Sequence, residues 1–121
     1  MIDRDIDLDF DKLGGLVPAV LQDADSQAVL MVGFMNREAL AQTLETGRAT
    51  FFSRTRSRLW TKGESSGNFA VVASLSADCD HDTLLLRVRV AGDGRICHKG
   101  TTSCFARAIA LPGAVRPLDL S

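Results

Sequence analysis

Short, β-prone apolar runs separated by polar turns make up most of this 121-residue chain. They predict strands at 16–21, 28–34, 49–53, 69–75 and 83–90. The last run alternates at its end, with apolar residues at 86, 88 and 90 and arginines at 87 and 89, as a half-buried strand does. The pattern indicates a sheet-based fold, and the length allows one domain, 1–121, with a modest core.

One segment has a helical pattern instead. Asn36 is a good N-cap, Leu40 and Leu44 share one face, and Gly47 is a stop signal, so a helix is predicted from Asn36 to about Thr46. Residues 91–94 predict a turn, and 95–97 would begin the return strand of a hairpin. We therefore expect a β-rich fold, mainly β with one or two short helices.

Charge and hydropathy narrow the classes of function. The net charge is -1, whereas proteins that mainly bind a nucleic-acid backbone are usually clearly basic. The longest apolar stretches, such as 28–35, are too short to span a bilayer, and the acidic N-terminus lacks the apolar core of a signal peptide. We expect a cytoplasmic protein that binds neither nucleic acid nor membrane.

Aspartates alternate with apolar residues at the N-terminus, at positions 3, 5, 7, 9 and 11. Such a row either binds a metal ion or forms a solvated edge strand or arm, and the second arrangement is the commoner.

Three cysteines, Cys79, Cys97 and Cys104, lie in polar surroundings. An odd number without an export signal argues against disulfides, and the polar neighbours favour metal binding or reactivity over buried thiols. Catalytic zinc typically has three protein ligands and a water, so three cysteines favour catalysis. His98 is a fourth ligand, a surface histidine or an acid/base group. We prefer the last, because neighbouring residues in an extended chain point in opposite directions.

The segment 78–82 places Asp78, Asp80 and Asp82 around Cys79 and His81. Carboxylates at this density are costly without a bound cation, and oxygen ligands suit Mg²⁺ bridging to a substrate phosphate. An EF-hand is excluded because position 83, where its loop needs glycine, is threonine. The alternative is a solvated acidic turn.

The segment 53–68 collects side chains suited to phosphate, because arginines pair with it bidentately and serines donate hydrogen bonds. These are Arg54, Arg56, Arg58, Ser65 and Ser66. The arginines would share one face if the chain is extended. Trp60 either stacks on a base or packs in the core. A solvated turn explains the segment equally well.

Together, three motifs resemble the phosphoribosyl-AMP cyclohydrolase family, in its order and near its spacing. They are Trp60-Thr61-Lys62-Gly63-Glu64-Ser65-Ser66-Gly67-Asn68, Asp78-Cys79-Asp80-His81-Asp82, and Cys97-His98-Lys99-Gly100 ending in Ser103-Cys104-Phe105. The resemblance extends upstream through 15–20, 33–36 and 51–54. It covers about 9–105, leaving a short N-terminal arm and a C-terminal tail.

The resemblance implies a twisted sheet or pseudobarrel in an intertwined homodimer, with active sites at the subunit interface. It implies zinc on Cys79, Cys97 and Cys104, one ion per subunit, and magnesium on Asp78, Asp80 and Asp82. The segment before these ligands would bind the substrate, through Arg54, Arg56, Trp60, Lys62, Glu64, Ser65 and Ser66. Some relatives carry a fused pyrophosphohydrolase domain; since this chain ends soon after Phe105, we expect it to be monofunctional.

The implied reaction is hydrolysis of the N1–C6 bond of the adenine ring in phosphoribosyl-AMP by a zinc-activated water. The product is the ring-opened phosphoribosyl formimino aminoimidazole carboxamide ribotide, in a step of histidine biosynthesis. His98 would transfer the proton, while magnesium and the basic residues hold phosphates. Two other functions stay open: a binding module with a structural zinc, and a single-strand nucleic-acid binder using Trp60 and the arginines.

Strand geometry also suggests how the metal sites are assembled. On an extended strand, Asp78, Asp80 and Asp82 would point to one face and Cys79 to the other. One chain could then aim both metals at one substrate only if the strand bends. We therefore predict that each zinc takes Cys79 from one subunit and Cys97 and Cys104 from the other.

Overall fold

The computed structural model describes residues 7–97 and 99–112. Within these residues the chain forms one small, β-rich domain, as predicted, with six strands, one α-helix and a short 3₁₀ helix, Phe10–Leu13. The elements are β1 (Val17–Asp23), β2 (Val29–Met35), α1 (Arg37–Thr46), β3 (Thr50–Ser53), β4 (Arg58–Thr61), β5 (Ala70–Ala77) and β6 (Leu84–Val90). No helix of the described part is long and apolar enough to cross a membrane.

Four strands form a mixed sheet in the order β2-β1-β6-β5, and β3 pairs with β4 in a separate hairpin. β1 is antiparallel to β2 but parallel to β6, with Ala19 opposite Leu84. A parallel pair needs a long crossover, and here α1 and the β3–β4 hairpin lie within it. The crossover therefore brings the β3–β4 hairpin, and the motif that follows it, beside the sheet.

Alternate residues of β1 and β6 build the core. Val17, Ala19 and Leu21 are fully buried, as are Leu86 and Val88 on β6. Because side chains alternate along a strand, these residues share one face of the sheet, and that face packs in the core. The half-buried and exposed positions between them form the opposite face.

The helix begins and ends as the sequence indicates. Asn36 accepts a hydrogen bond from the Ala39 backbone N–H at 2.8 Å, and Gly47 ends the helix in the left-handed conformation at φ 73°. Its buried face differs from the expected one, because Leu44 is 66% exposed. Small residues carry the packing instead: Ala39 and Thr43 are buried, and Thr43 Oγ1 accepts from the Thr50 N–H at 3.0 Å, joining α1 to β3.

Two segments differ from their predicted conformations. Residues 54–57 form the turn between β3 and β4, in which Ser57 has φ 50° and the Arg56 N–H donates to Ser53 Oγ at 3.3 Å. The chain is therefore not extended here, and the condition under which Arg54, Arg56 and Arg58 would share one face is not met. The predicted return strand at 95–97 is also absent from the described structure, because the chain turns there.

The N-terminal aspartates are partly described. Asp9 caps the 3₁₀ helix by accepting from the Asp11 N–H at 3.1 Å, so this part of the row is not an edge strand. Asp3 and Asp5 lie outside the described residues.

Candidate active site

One cavity of about 620 Å³ opens beside the β3–β4 hairpin. Its lining includes six of the seven predicted substrate-binding residues, namely Arg56, Trp60, Lys62, Glu64, Ser65 and Ser66, together with Cys97. The seventh, Arg54, is not among the lining residues, since its guanidinium lies 4.3 Å over the Phe34 ring. The structure thus brings most of the predicted binding segment to one place.

Trp60 packs against the core and also lines the cavity. Its ring packs against the buried Phe51, with centroids 5.0 Å apart and planes inclined by 34°. It is nevertheless half-buried and lines the cavity. The Lys62 Nζ lies 5.9 Å from the Trp60 ring centroid, which places a cation beside an aromatic wall.

The loop after β4 is fixed by local hydrogen bonds. The Glu64 N–H donates to Thr61 O at 3.0 Å, and the Gly67 N–H donates to Gly63 O at 2.8 Å. The Glu64 carboxylate accepts from the Thr61 N–H at 3.1 Å and from Arg58 Nη2 at 3.3 Å. Glu64 therefore closes the loop, and Ser65 and Ser66 remain exposed at the rim of the cavity.

Two of the three cysteines lie together. The Cys97 and Cys104 thiols are close enough that each shifts the pKa of the other, although Cys104 is exposed and Cys97 half-buried. The Lys99 N–H and the Thr101 hydroxyl lower the pKa of Cys97, and Lys62 adds a nearby positive charge. Desolvation and the neighbouring Cys97 raise the pKa of Cys104. The pKa values of the two thiols are therefore shifted in opposite directions from the ordinary value.

The third cysteine is placed elsewhere. Cys79 lies exposed in the turn between β5 and β6, where its thiol donates to Asp80 Oδ1 at 3.2 Å and that carboxylate raises its pKa. Among the residues that the structure describes, no three His, Cys, Asp or Glu side chains are arranged to hold a metal. His98, the predicted acid/base group, lies outside the described residues.

The acidic segment is a turn, so the extended strand assumed for Asp78, Asp80 and Asp82 is wrong. The Asp78 carboxylate causes the turn, because its Oδ1 accepts from the backbone N–H groups of Asp82 at 3.0 Å and Thr83 at 3.2 Å. Asp82 accepts from Lys12 Nζ at 2.9 Å, an ion pair that lowers the pKa of Asp82. Since Asp80 accepts from the Cys79 thiol, all three carboxylates already have partners within the chain.

Three further residues line the cavity wall but are not among the predicted substrate-binding residues: Asn68, Asp93 and Arg95. Asn68 is only 9% exposed. Its position at the end of the first motif is the sequence signal that points to a role at the cavity. Its hydrogen-bond partners, Asp93 and Arg95, lie in a turn far along the chain, so the pattern around Asn68 does not reveal them.

These features define a small β-rich domain with a cavity whose basic, hydroxyl and aromatic walls suit a phosphorylated aromatic ligand, next to a thiol pair. Residues 31–106 match the family model described as phosphoribosyl-AMP cyclohydrolase. The chain belongs to this family.

Similar proteins include three bacterial relatives, each named "Histidine biosynthesis bifunctional protein HisIE". The Bacteroides thetaiotaomicron protein is 59% identical over 100 residues, covering 83% of this chain and 48% of the relative. The Escherichia coli K12 protein is 58% identical over 99 residues, or 82% and 48%. The Vibrio parahaemolyticus protein is 56% identical over 98 residues, or 81% and 46%. The chain therefore spans about half the length of the curated relatives it matches.

Proposed function

We propose that the chain is a phosphoribosyl-AMP cyclohydrolase of histidine biosynthesis, which hydrolyses the N1–C6 bond of the adenine ring. The observation that carries this proposal is the cavity where Trp60, the Ser65–Ser66 rim and Cys97 meet. The family match over 31–106 supports this activity, and the names of the relatives support a role in histidine biosynthesis.

The cavity walls suit different parts of the substrate. Trp60 offers an aromatic face on which a purine can stack. Arg56 and Lys62 supply positive charge for the phosphates, and the Ser65 and Ser66 hydroxyls add hydrogen-bond donors. Arg58 contributes less, because its guanidinium is already paired with Glu64 at 3.3 Å.

The thiol pair fits zinc in ligand chemistry, since thiolates are soft ligands and the pKa of Cys97 is lowered. Cys97 and Cys104 would hold the ion from one chain, and Cys79 would come from a second. Zinc, when bound, lowers the pKa of a water ligand to about 7, which allows attack on C6 at neutral pH. We propose His98 for proton transfer as the ring opens.

The fit for magnesium is weaker. Asp78, Asp80 and Asp82 lie in one turn, and their density of oxygen ligands still favours Mg²⁺. Lys12, however, would have to release Asp82, and Asp78 Oδ1 is occupied by two backbone N–H groups. We keep these aspartates as the candidate magnesium ligands and derive no step of the reaction from them.

A homodimer is supported by the outer face of the sheet, the one turned away from the core. Val20 lies opposite Val32 on one side and Leu85 on the other, so apolar side chains cross three strands. Val32 is 44% exposed, and the other two are half-buried. A second copy packed on this face would remove that apolar surface from water.

An absorbance assay with purified protein and phosphoribosyl-AMP tests the activity directly. We expect ring opening with zinc-loaded protein and its loss after chelation. The variant Cys97→Ser should lose zinc and turnover together. Absence of turnover in zinc-loaded protein would refute the activity, and full activity in a metal-free preparation would refute the zinc requirement.

The role of His98 has a separate test. His98→Ala should keep zinc but lose about 10²-fold in kcat, the usual size of a general acid–base contribution. His81→Ala is the matched control and should change kcat much less, because we assign it no role. A wild-type pH–rate profile for His98→Ala would contradict the proposal.

A mixed dimer tests the shared zinc site. Cys79→Ser and Cys104→Ser chains, each inactive alone, should give one intact and one doubly damaged site when they pair. Random exchange would then restore up to about a quarter of wild-type activity per subunit. If heterodimers form and stay inactive, the three cysteines of a site come from one chain.

A further inference from the structure

The buried side chain of Asn68 connects the two walls of the cavity. Its Nδ2 donates to Asp93 Oδ1 at 2.6 Å and to Arg95 O at 2.9 Å, and its Oδ1 accepts from the Asp93 N–H at 3.2 Å. Both amide hydrogens and the carbonyl are therefore used. One asparagine thus links the loop that follows β4 to the turn that follows β6.

Two glycines make this link possible. A Cβ on Gly92 would lie 2.0 Å from Asn68 Oδ1, and a Cβ on Gly63 would lie 2.5 Å from the Asn68 backbone carbon. Both glycines have positive φ, at 72° and 94°. Residues with side chains would have to push Asn68 away, so the backbone on both sides is shaped around it.

The linked segments carry different chemistry. On one side, the Asn68 N–H donates to Ser66 Oγ at 3.1 Å, within the rim that we assign to phosphate binding. On the other, Arg95 precedes Ile96, which is 1% exposed, and Ile96 precedes Cys97. Since only Ile96 separates Arg95 from Cys97, a shift of the Arg95 backbone would displace the Ile96 side chain in the core and the backbone of Cys97 with it.

We propose that Asn68 is a positioning residue: its amide sets the Cys97 wall relative to the Ser65–Ser66 wall. The inference rests on the proposed function, since it assigns substrate to one wall and reaction chemistry to the other. Misplacing reacting groups by about 1 Å can cost on the order of 10²-fold in rate. Loss of the link should therefore reduce kcat more than stability alone explains.

The experiment compares three variants with a matched control. Asn68→Ala removes the link. Asn68→Asp keeps its shape but turns a carboxylate oxygen toward the Asp93 carboxylate and the Arg95 carbonyl. Asp93→Asn keeps an oxygen that can accept from Asn68. The control is Thr43→Val, which removes one buried hydrogen bond within α1 and one from β3 to α1, and Thr43 is not among the residues lining the cavity.

Three quantities are measured: kcat and KM with phosphoribosyl-AMP, the melting temperature, and acrylamide quenching of Trp60, the single tryptophan. We expect both Asn68 variants to lose about tenfold or more in kcat and to show increased quenching of Trp60. Asp93→Asn should stay within about threefold of wild type. Thr43→Val should lower the melting temperature with kcat and quenching unchanged.

A lower melting temperature with wild-type kcat and quenching in Asn68→Ala would make the role purely structural and overturn the proposal. If neither Asn68 variant folds, Asp93→Ala decides: it should lose several-fold in kcat where Asp93→Asn does not, and equal rates for the two overturn the proposal. Absence of turnover in wild type would refute the proposed function instead. The quenching of Trp60 then decides the positioning role by itself.

Discussion

Gly33 gives the sharpest test of how the fold supports the cavity. It lies opposite Ala19 in the β1–β2 ladder, and an added Cβ would come within 2.5 Å of Phe51 Cδ1 and 2.7 Å of Cε1. Phe51 is fully buried and packs on Trp60. Gly33→Ala must therefore displace the Phe51 ring, and the Trp60 wall moves with it.

The expected magnitude follows from overpacking a filled core, which costs typically about 1–3 kcal/mol. For a domain of this size, each kcal/mol corresponds to roughly 4 °C in melting temperature, so we expect a loss of about 4–12 °C. Thermal unfolding at fixed protein concentration measures the loss, and the emission spectrum of Trp60 reports the displaced ring. Both changes should appear together.

Two controls make the result specific. Gly14→Ala carries the strain of a positive φ, 64°, but its Cβ meets nothing within 4 Å, so the emission of Trp60 should not change. Adding Phe51→Leu to Gly33→Ala should cost less than adding it to wild type, because the smaller side chain relieves the clash. Strict additivity of the two substitutions, or a wild-type melting temperature for Gly33→Ala, would refute the reasoning.

Three further predictions concern a cap, a turn and the cavity. Asn36→Ala should lower the free energy of unfolding by about 1 kcal/mol, measured by denaturant titration, whereas the capping variant Asn36→Asp should change little; equal losses would contradict the cap. Hydrogen bonds from backbone N–H groups, that of Ser26 at 2.7 Å foremost, hold the pKa of Asp23 below its ordinary value of 3.8. The ionised form therefore stabilises the fold above that value and ceases to do so as pH falls through the lowered pKa. The melting-temperature difference between wild type and Asp23→Asn should accordingly be largest near neutrality and vanish at the acid end; a difference independent of pH would count against it. Finally, Arg56→Ala should raise KM more than Arg54→Ala, since only the first residue is among those lining the cavity, and steady-state kinetics with the reverse order would contradict the assignment.

The elements that the sequence predicted well are those set by local patterns. Burial alternates along β6 as its leucines and arginines indicate, and α1 starts after Asn36 and ends before Gly47. Both signals are contained within a few residues. The parallel pairing of β1 with β6 has no such local signal. It joins segments more than sixty residues apart along the chain and depends on the crossover between them.

Two segments of the candidate site, 54–57 and 78–82, are turns rather than extended chain. In each turn, a polar side chain accepts a hydrogen bond from a backbone N–H three or four residues further along the chain: Ser53 accepts from the Arg56 N–H, and Asp78 accepts from the Asp82 N–H. Short polar side chains offer the backbone this alternative to an extended ladder. These turns set the directions of the side chains, which the residue pattern alone does not give.

The sheet order bears on the shared zinc site independently of the strand argument that failed. Cys104 is fastened to β2, because its backbone N–H donates to Leu30 O at 2.7 Å, whereas Cys79 follows β5. β2 and β5 are the two edges of the sheet β2-β1-β6-β5. Three strand spacings of about 4.8 Å separate these edges by roughly 14 Å, while a zinc–sulfur bond is about 2.3 Å long. This separation supports the proposal that a zinc site joining Cys79 to Cys104 draws its ligands from two chains, and it predicts restored activity in the mixed dimer.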